Sequence, residues 1–178
     1  MQQQHKVSER GFTLIEACIA FAVVAIAATT AVPGFQDLVA RRRLEGVATQ
    51  LATDLQTVRT ETVARNAPLR VSFHADAGGS CYLVHTGAKA QCSCVSGAAP
   101  ACSADARLVK AVQLPAEQRV AVAASAGSIV FDPLHGTTTP TATVRVNGAP
   151  GAIHHVVNVM GRVRSCSPEG RIPGYRIC

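Results

Sequence analysis

The chain has 178 residues, 48% of them apolar, with no tryptophan and a net charge of +6. That length holds one domain of ordinary size with its own core, and the scarcity of aromatic residues excludes a core built on them: Val, Leu and Ala must fill it. Lysine stands only at positions 6, 89 and 110, so the basic excess is arginine, whose flat fork of donors suits phosphate and carboxylate, although a basic balance alone does not identify an anionic partner.

In chain order, Lys6 and Arg10 precede an apolar run from Phe12 to Val32. The run is longer than the apolar region of a secretory signal and sufficient for a helix across a bilayer. The two cations place the N-terminus in the cytoplasm and the bulk of the chain beyond the inner membrane. Glu16 is the sole formal charge between Gly11 and Gly34, and a carboxylate so placed is costly. Pro33-Gly34 predicts a kink or a short melted stretch. Beyond it Leu44, Val47, Leu51, Leu55 and Val58 recur at steps of three and four, which predicts an amphipathic helix. Arg41, Arg42, Arg43, Glu45, Gln50, Asp54 and Arg59 decorate its other faces, Glu61 and Arg65 stand as an i,i+4 pair, and Asn66-Ala67-Pro68 ends it.

From Leu69 the period changes to that of short strands: 69–74, 81–85, 108–114, 119–123, 128–131, 141–147 and 153–159, separated by Gly, Pro and Thr clusters. Residues 87–106 are small, polar and cysteine-rich, and read as an ordered loop. Of the seven cysteines, Cys18 lies in the apolar helix. The other six belong to an exported head, where disulfides form. The economical reading is two bridges among Cys81, Cys92, Cys94 and Cys102, in a pairing that spacing leaves open, and one from Cys166 to Cys178. The rival is zinc held by Cys92 and Cys94 with His74 or His85; Cys-x-Cys is tighter than usual zinc spacing, and the reading adopted has no metal and no cofactor. His154 and His155 are neighbours on a strand and face opposite sides. Neither has a nucleophile or carboxylate at a recognisable spacing, and no phosphate-cradling loop follows a strand, so the chain reads as an assembly or binding protein, not an enzyme.

Gly11-Phe12-Thr13-Leu14-Ile15-Glu16, after a basic leader and before an apolar helix, resembles the processing site of type IV prepilins and type II secretion pseudopilins. The resemblance implies cleavage between Gly11 and Phe12 by the prepilin peptidase and N-methylation of Phe12. It implies an α+β pilin-like fold: leader 1–11, membrane and filament-core helix 12–33, amphipathic helix 34–66, and antiparallel head 67–178 with a disulfide-rich loop 81–102 and a basic loop 161–178. Glu16 then faces the terminal ammonium of a neighbouring pilin, a pairing that lowers the penalty of burying either charge. A plain membrane anchor with a snorkelling Glu16 has no need of the whole hexapeptide.

A second resemblance, to the FimT/GspH branch, rests on Phe131-Asp132-Pro133 with Gly136 and on Gly161-Arg162-Val163-Arg164. In the FimT members of natural-transformation systems the Gly-Arg-x-Arg region is implied to bind double-stranded DNA, which here implicates Gly161, Arg162 and Arg164. Arginines at i and i+2 of a strand share a face about 6.7 Å apart and reach successive phosphates. Val163 would anchor in the core, Gly161 would permit the turn, and a Cys166–Cys178 loop would bring Arg171, Arg176 and a stacking Tyr175 to the same side. The implied protein is a minor type IV pilin, in the inner membrane and then in a surface pilus, that takes up DNA and takes part in assembly. The alternatives are a purely structural minor pilin and a type II secretion pseudopilin. A charged edge strand that merely deters pairing would look the same in these few residues.

Overall fold

The computed structural model describes residues 11–95, 97–103 and 105–178, except for the side chains of residues 30, 31 and 33. The leader cations Lys6 and Arg10 lie outside them. A single helix, α1, runs from Leu14 to Arg65, and the chain divides into two compact units at Leu38 and Val39, a little beyond the Pro33-Gly34 boundary expected from sequence. α1 passes through Pro33-Gly34 as helix, which replaces the melted stretch expected there. One proline removes one donor, and the helix bonds on either side remain available.

In the first unit the helix carries no charge from Leu14 to Val32 except Glu16 and is largely apolar on every side. Phe12, Leu14, Ile15, Ile19, Phe21, Val23, Val24 and Ile26 are all exposed, and an 18-residue window reaches a mean hydropathy of 2.2. A helix of this kind needs an apolar surround, lipid or other helices.

In the second unit α1 buries Leu44, Ala48, Leu51, Leu55, Val58 and Thr62: four of the five expected stripe residues, with Val47 half-buried against the core, plus Ala48 and Thr62, which pattern alone passes over. Asn66 turns left-handed (φ 47°) and the Ala67 N–H returns to the Thr62 carbonyl, which closes the helix end. Against this stripe pack antiparallel strands: β1 (Leu69–Asp76), β2 (Gly79–His85), β3 (Cys92–Ser93), β4 (Ala101–Cys102), β5 (Leu108–Pro115), β6 (Val120–Ala124), β7 (Ser128–Phe131), β8 (Thr138–Thr139), β9 (Ala142–Gly148), β10 (Gly151–Val157) and β11 (Val163–Cys166). They form one sheet in the order β5-β2-β1-β7-β8, a second in the order β11-β10-β9-β6, and the small pair β3-β4. Inward residues of both large sheets, among them Leu69, Val71, Tyr82, Val122, Ile129, Phe131, Val144, Val146, Ile153 and Val157, make one core with the helix stripe.

The seven expected strands are all present, with ends displaced by a residue or two. One displacement bears on the site: the strand expected over 153–159 covers Gly151–Val157. Asn158 begins a turn in which the Gly161 N–H bonds the Asn158 carbonyl. The short strands β3, β4 and β8 were not expected, because two residues carry no measurable period, and β11 is the strand expected to carry the Arg-x-Arg pair, though it begins only at Val163. The loop 87–106 is stapled by Cys81–Cys94 and Cys92–Cys102, so all four cysteines of the cluster are disulfide-bonded and none is left as a thiolate for the rival zinc reading.

Candidate nucleic-acid interface

The two motifs that carried the second resemblance meet at one residue of the helix. The Asp132 Oδ1 accepts the N–H groups of Leu134 and His135, and the Gly136 N–H returns to the Asp132 carbonyl. These bonds aim the Gly136 carbonyl at Arg59, whose Nε donates to it at 3.1 Å. Gly161, buried and left-handed (φ 70°), packs on the same spot. A Cβ there would fall on the Gly136 carbonyl oxygen and within 2.9 Å of Arg59 Cδ and Nε. Only glycine fits. Gly161 is therefore out of reach of a ligand, and its part is to set the turn that presents Arg162.

The turn is held on its other side by Asn158. Its Oδ1 accepts the Arg162 N–H and its own N–H donates to the Arg162 carbonyl. Thr138 adds bonds from its N–H to the Val159 carbonyl and from its hydroxyl to the Asn158 carbonyl. The chain then enters β11, an edge strand. Arg162 and Arg164 are exposed, and Val163 between them is half-buried against the core. Among the described residues no carboxylate lies within ion-pair distance of either arginine.

The tail beyond β11 is pinned by Cys166–Cys178, by the buried Ile172, and by bonds from the Ser167 N–H to the Arg176 carbonyl and from the Cys178 N–H to the Ser167 carbonyl. Arg176 is exposed without an ion-pair partner among the described residues. Arg171 is engaged instead: its Nε lies 2.9 Å from Glu169 Oε2, a surface pair that screens its charge at close range. Tyr175, expected to stack on a base, is half-buried and packs on the core. Alone it is no exposed platform, because a ring packed half-buried against apolar neighbours offers little free face to a base.

Pairing in the second sheet adds a residue that the sequence reading missed. Arg164 stands opposite Val156, Val156 opposite Thr143, and His154 opposite both Cys166 and Arg145. Arg145 is exposed, between the buried Val144 and Val146, and so lies on the same outer face as Arg164. Its alternation was legible in β9, but its neighbours were not until the strands were paired. His154 is half-buried on that face, its pKa lowered first by desolvation and then by Arg145. His155 points inward and is 1% exposed. Its Nδ1 lies 2.8 Å from the Ser165 hydroxyl and its Nε2 has no partner among the described residues. Burial pushes its pKa down to about 4, against a weaker opposite pull from the Ala48 carbonyl.

In the first unit Gly11, Phe12 and Glu16 are exposed. Thr13 caps α1: its hydroxyl accepts the Glu16 N–H at 3.3 Å. Glu16 therefore sits in the first turn, where the helix dipole favours a negative charge.

A long apolar N-terminal helix and an antiparallel β head with a helix stripe in its core define a pilin-like protein. Residues 47–161 match the family described as Type II transport protein GspH, and residues 6–32 match the prokaryotic N-terminal methylation motif. The chain belongs to the GspH family: it is a minor type IV pilin or a GspH-like pseudopilin, a structural protein rather than an enzyme, and an associate of other pilins in a filament. Its fold is similar to that of the type IV minor pilin FimU of Pseudomonas aeruginosa, with a TM-score of 0.50 at 17% identity over 70% of this chain and 88% of that one. A second crystal form of FimU gives 0.48 at 14% identity over 74% and 98%. At such identity the likeness shows the fold alone.

Proposed function

We propose that the chain is a minor type IV pilin of the FimT kind that binds extracellular double-stranded DNA without sequence preference, for uptake in natural transformation. The observation that carries this reading is the pair Arg162, in the entry turn, and Arg164, on the edge strand β11, both exposed and without carboxylate partners among the described residues, with the turn fixed by Gly161, Gly136 and Arg59. Charge without base readout suits capture of arbitrary DNA. Arg176 assists from the tail, with Arg171 a weaker contributor because of Glu169. Arg162→Gln with Arg164→Gln, in the full-length chain purified in uncharged detergent, should lower affinity for all duplexes alike and flatten the salt slope by about 2. Pili should still form while DNA uptake falls. Wild-type binding by the double variant, or loss of pili together with uptake, would overturn the reading.

The same proposal places the N-terminus in the cytoplasm and the head beyond the inner membrane. The prepilin peptidase cleaves between Gly11 and Phe12, Phe12 is methylated, and Glu16 meets the new ammonium of a neighbour. The match to the methylation motif supports this. Intact mass of the membrane-extracted protein should correspond to a chain that begins at methylated Phe12, and Glu16→Ala should be processed yet enter filaments poorly. The GspH family match favours one second reading, a type II secretion pseudopilin. Loss of secretion rather than of uptake on deletion would select it.

A further inference from the structure

We infer that Arg145 is a third phosphate contact, which turns the Arg162–Arg164 pair into an oblique track for duplex DNA across the outer face of the second sheet. The inference rests on the DNA-receptor reading above and extends it to a surface that the C-terminal motif does not include.

The geometry follows from the register. The row Arg164, Val156, Thr143 is adjacent to the row Cys166, His154, Arg145. With strands about 4.8 Å apart and a rise of about 3.3 Å per residue, Arg145 lies about 12 Å from Arg164. Arg162 extends the line on the far side of Arg164, to about 16 Å in all. That length is about five base-pair steps of one DNA strand at about 3.4 Å each. β6, β9, β10 and β11 contain no aspartate or glutamate, so no carboxylate of these strands interrupts the track. The residues between the arginines, Val156, Thr143 and His154, are half-buried or only modestly exposed, and the Cys166–Cys178 bridge borders the track at His154, whose Nδ1 lies 3.9 Å from Cys178 Sγ.

The same face argues for duplex over single-stranded DNA. Single strands are gripped by bases stacked on exposed aromatic rings. Among the described residues of 39–178, Tyr82 and Phe131 are buried and Phe73 and Tyr175 are half-buried against the core. A face of guanidinium groups without rings reads phosphates and leaves bases alone.

Lys89, Arg107 and Arg119 are also without ion-pair partners among the described residues, but each stands in a connection between strands. Arg119 therefore serves as a charge-matched control. In anisotropy titrations of a short labelled duplex over a range of salt, with the full-length chain in uncharged detergent, Arg145→Gln should weaken binding several-fold and flatten the salt slope by about 1. Arg145→Lys should keep the slope, Arg119→Gln should behave as wild type, and a single strand of equal length should bind more weakly than the duplex. If Arg145→Gln titrates as wild type while the Arg162 and Arg164 double variant loses binding, the contact is confined to β11: the inference falls and the receptor reading stands. If Arg119→Gln weakens binding as much as Arg145→Gln, the effect is one of net charge and the inference falls as well. If the double variant binds as wild type, both fall.

Discussion

On the five-stranded sheet, charge meets a partner. Lys110 on β5 sits 2.6 Å from Asp54 of the helix, and Asp54 also accepts the Tyr82 hydroxyl at 2.7 Å. Arg70 on β1 donates to the Gly87 carbonyl and to the Ser128 hydroxyl, and Asp76 accepts the Gly78 N–H. On the four-stranded sheet, Arg145 and Arg164 have no ion-pair partner among the described residues, and Arg162 at its margin has none either. Both sheets contribute to one core, although β2 of the first is buried on both faces under the disulfide loop while β9 and β10 of the second alternate. The difference lies in what their charges do: in the first they are tied into the fold, and in the second they remain available to a partner.

The buried histidines repeat the contrast. His85 on β2 has both ring nitrogens engaged, Nδ1 with the Thr86 carbonyl and Nε2 with the Ser72 hydroxyl, which fixes a neutral tautomer. His155 on β10 has one hydrogen bond of good geometry, to Ser165, and only a weak pull from the Ala48 carbonyl. Both have pKa values lowered chiefly by desolvation. A fully satisfied imidazole is a structural strut, whereas a half-satisfied one marks a place where acid can enter the core.

That contrast yields the largest expected effect. The His155 pKa is about 4 in the folded chain against 6.5 ordinarily, so the unfolded state takes up the proton first and stability rises with pH. The neutral ring's contribution is complete above about pH 6.5 and is lost as pH falls to about 4, a difference of roughly 3 kcal/mol. His155→Leu should flatten that part of the curve, while His85 and His154, shifted in the same direction, keep a residual slope. Urea titrations of the head followed by tyrosine fluorescence between pH 4 and 8 would measure it. An unchanged slope in the variant would break the histidine comparison.

A smaller effect is expected at the paired charges. Asp54→Ala strands the buried Tyr82 hydroxyl, whose pKa is already raised by burial and by that bond, and should cost about 1–3 kcal/mol. DNA affinity should not fall, since the variant removes an acid of the helix that pairs with Lys110 and Tyr82 of the other sheet. The smallest effect belongs to Arg164→Gln, which should change stability by no more than about 0.5 kcal/mol while lowering DNA affinity. The two variants together sharpen the comparison: one loses stability and keeps binding, the other the reverse. Equal stability losses would erase the distinction between the sheets.

The sequence by itself determined the elements and the class. A membrane-length apolar run, a stripe at steps of three and four, and seven strands of period two are local patterns, set by which faces must leave water. The leader hexapeptide was legible for the same reason, since its meaning depends only on its distance from the apolar helix, and Arg162 and Arg164 were found because they are close in sequence. Tertiary structure alone decided how distant residues combine. Arg145 joined the face only when β9 paired with β10. Gly136 and Gly161 became two sides of one contact only when both closed on Arg59. Tyr175 packs half-buried against the core that Ile172 joins, and Arg171 was screened because the turn brought Glu169 beside it. Among Cys81, Cys92, Cys94 and Cys102 spacing allowed several pairings, and the register of β3 with β4 selected Cys92–Cys102. The arginine face and the glycine contact depend on segments far apart in the chain, and the tail outcomes on how its turn is folded; burial and strand register settle these and residue type alone does not.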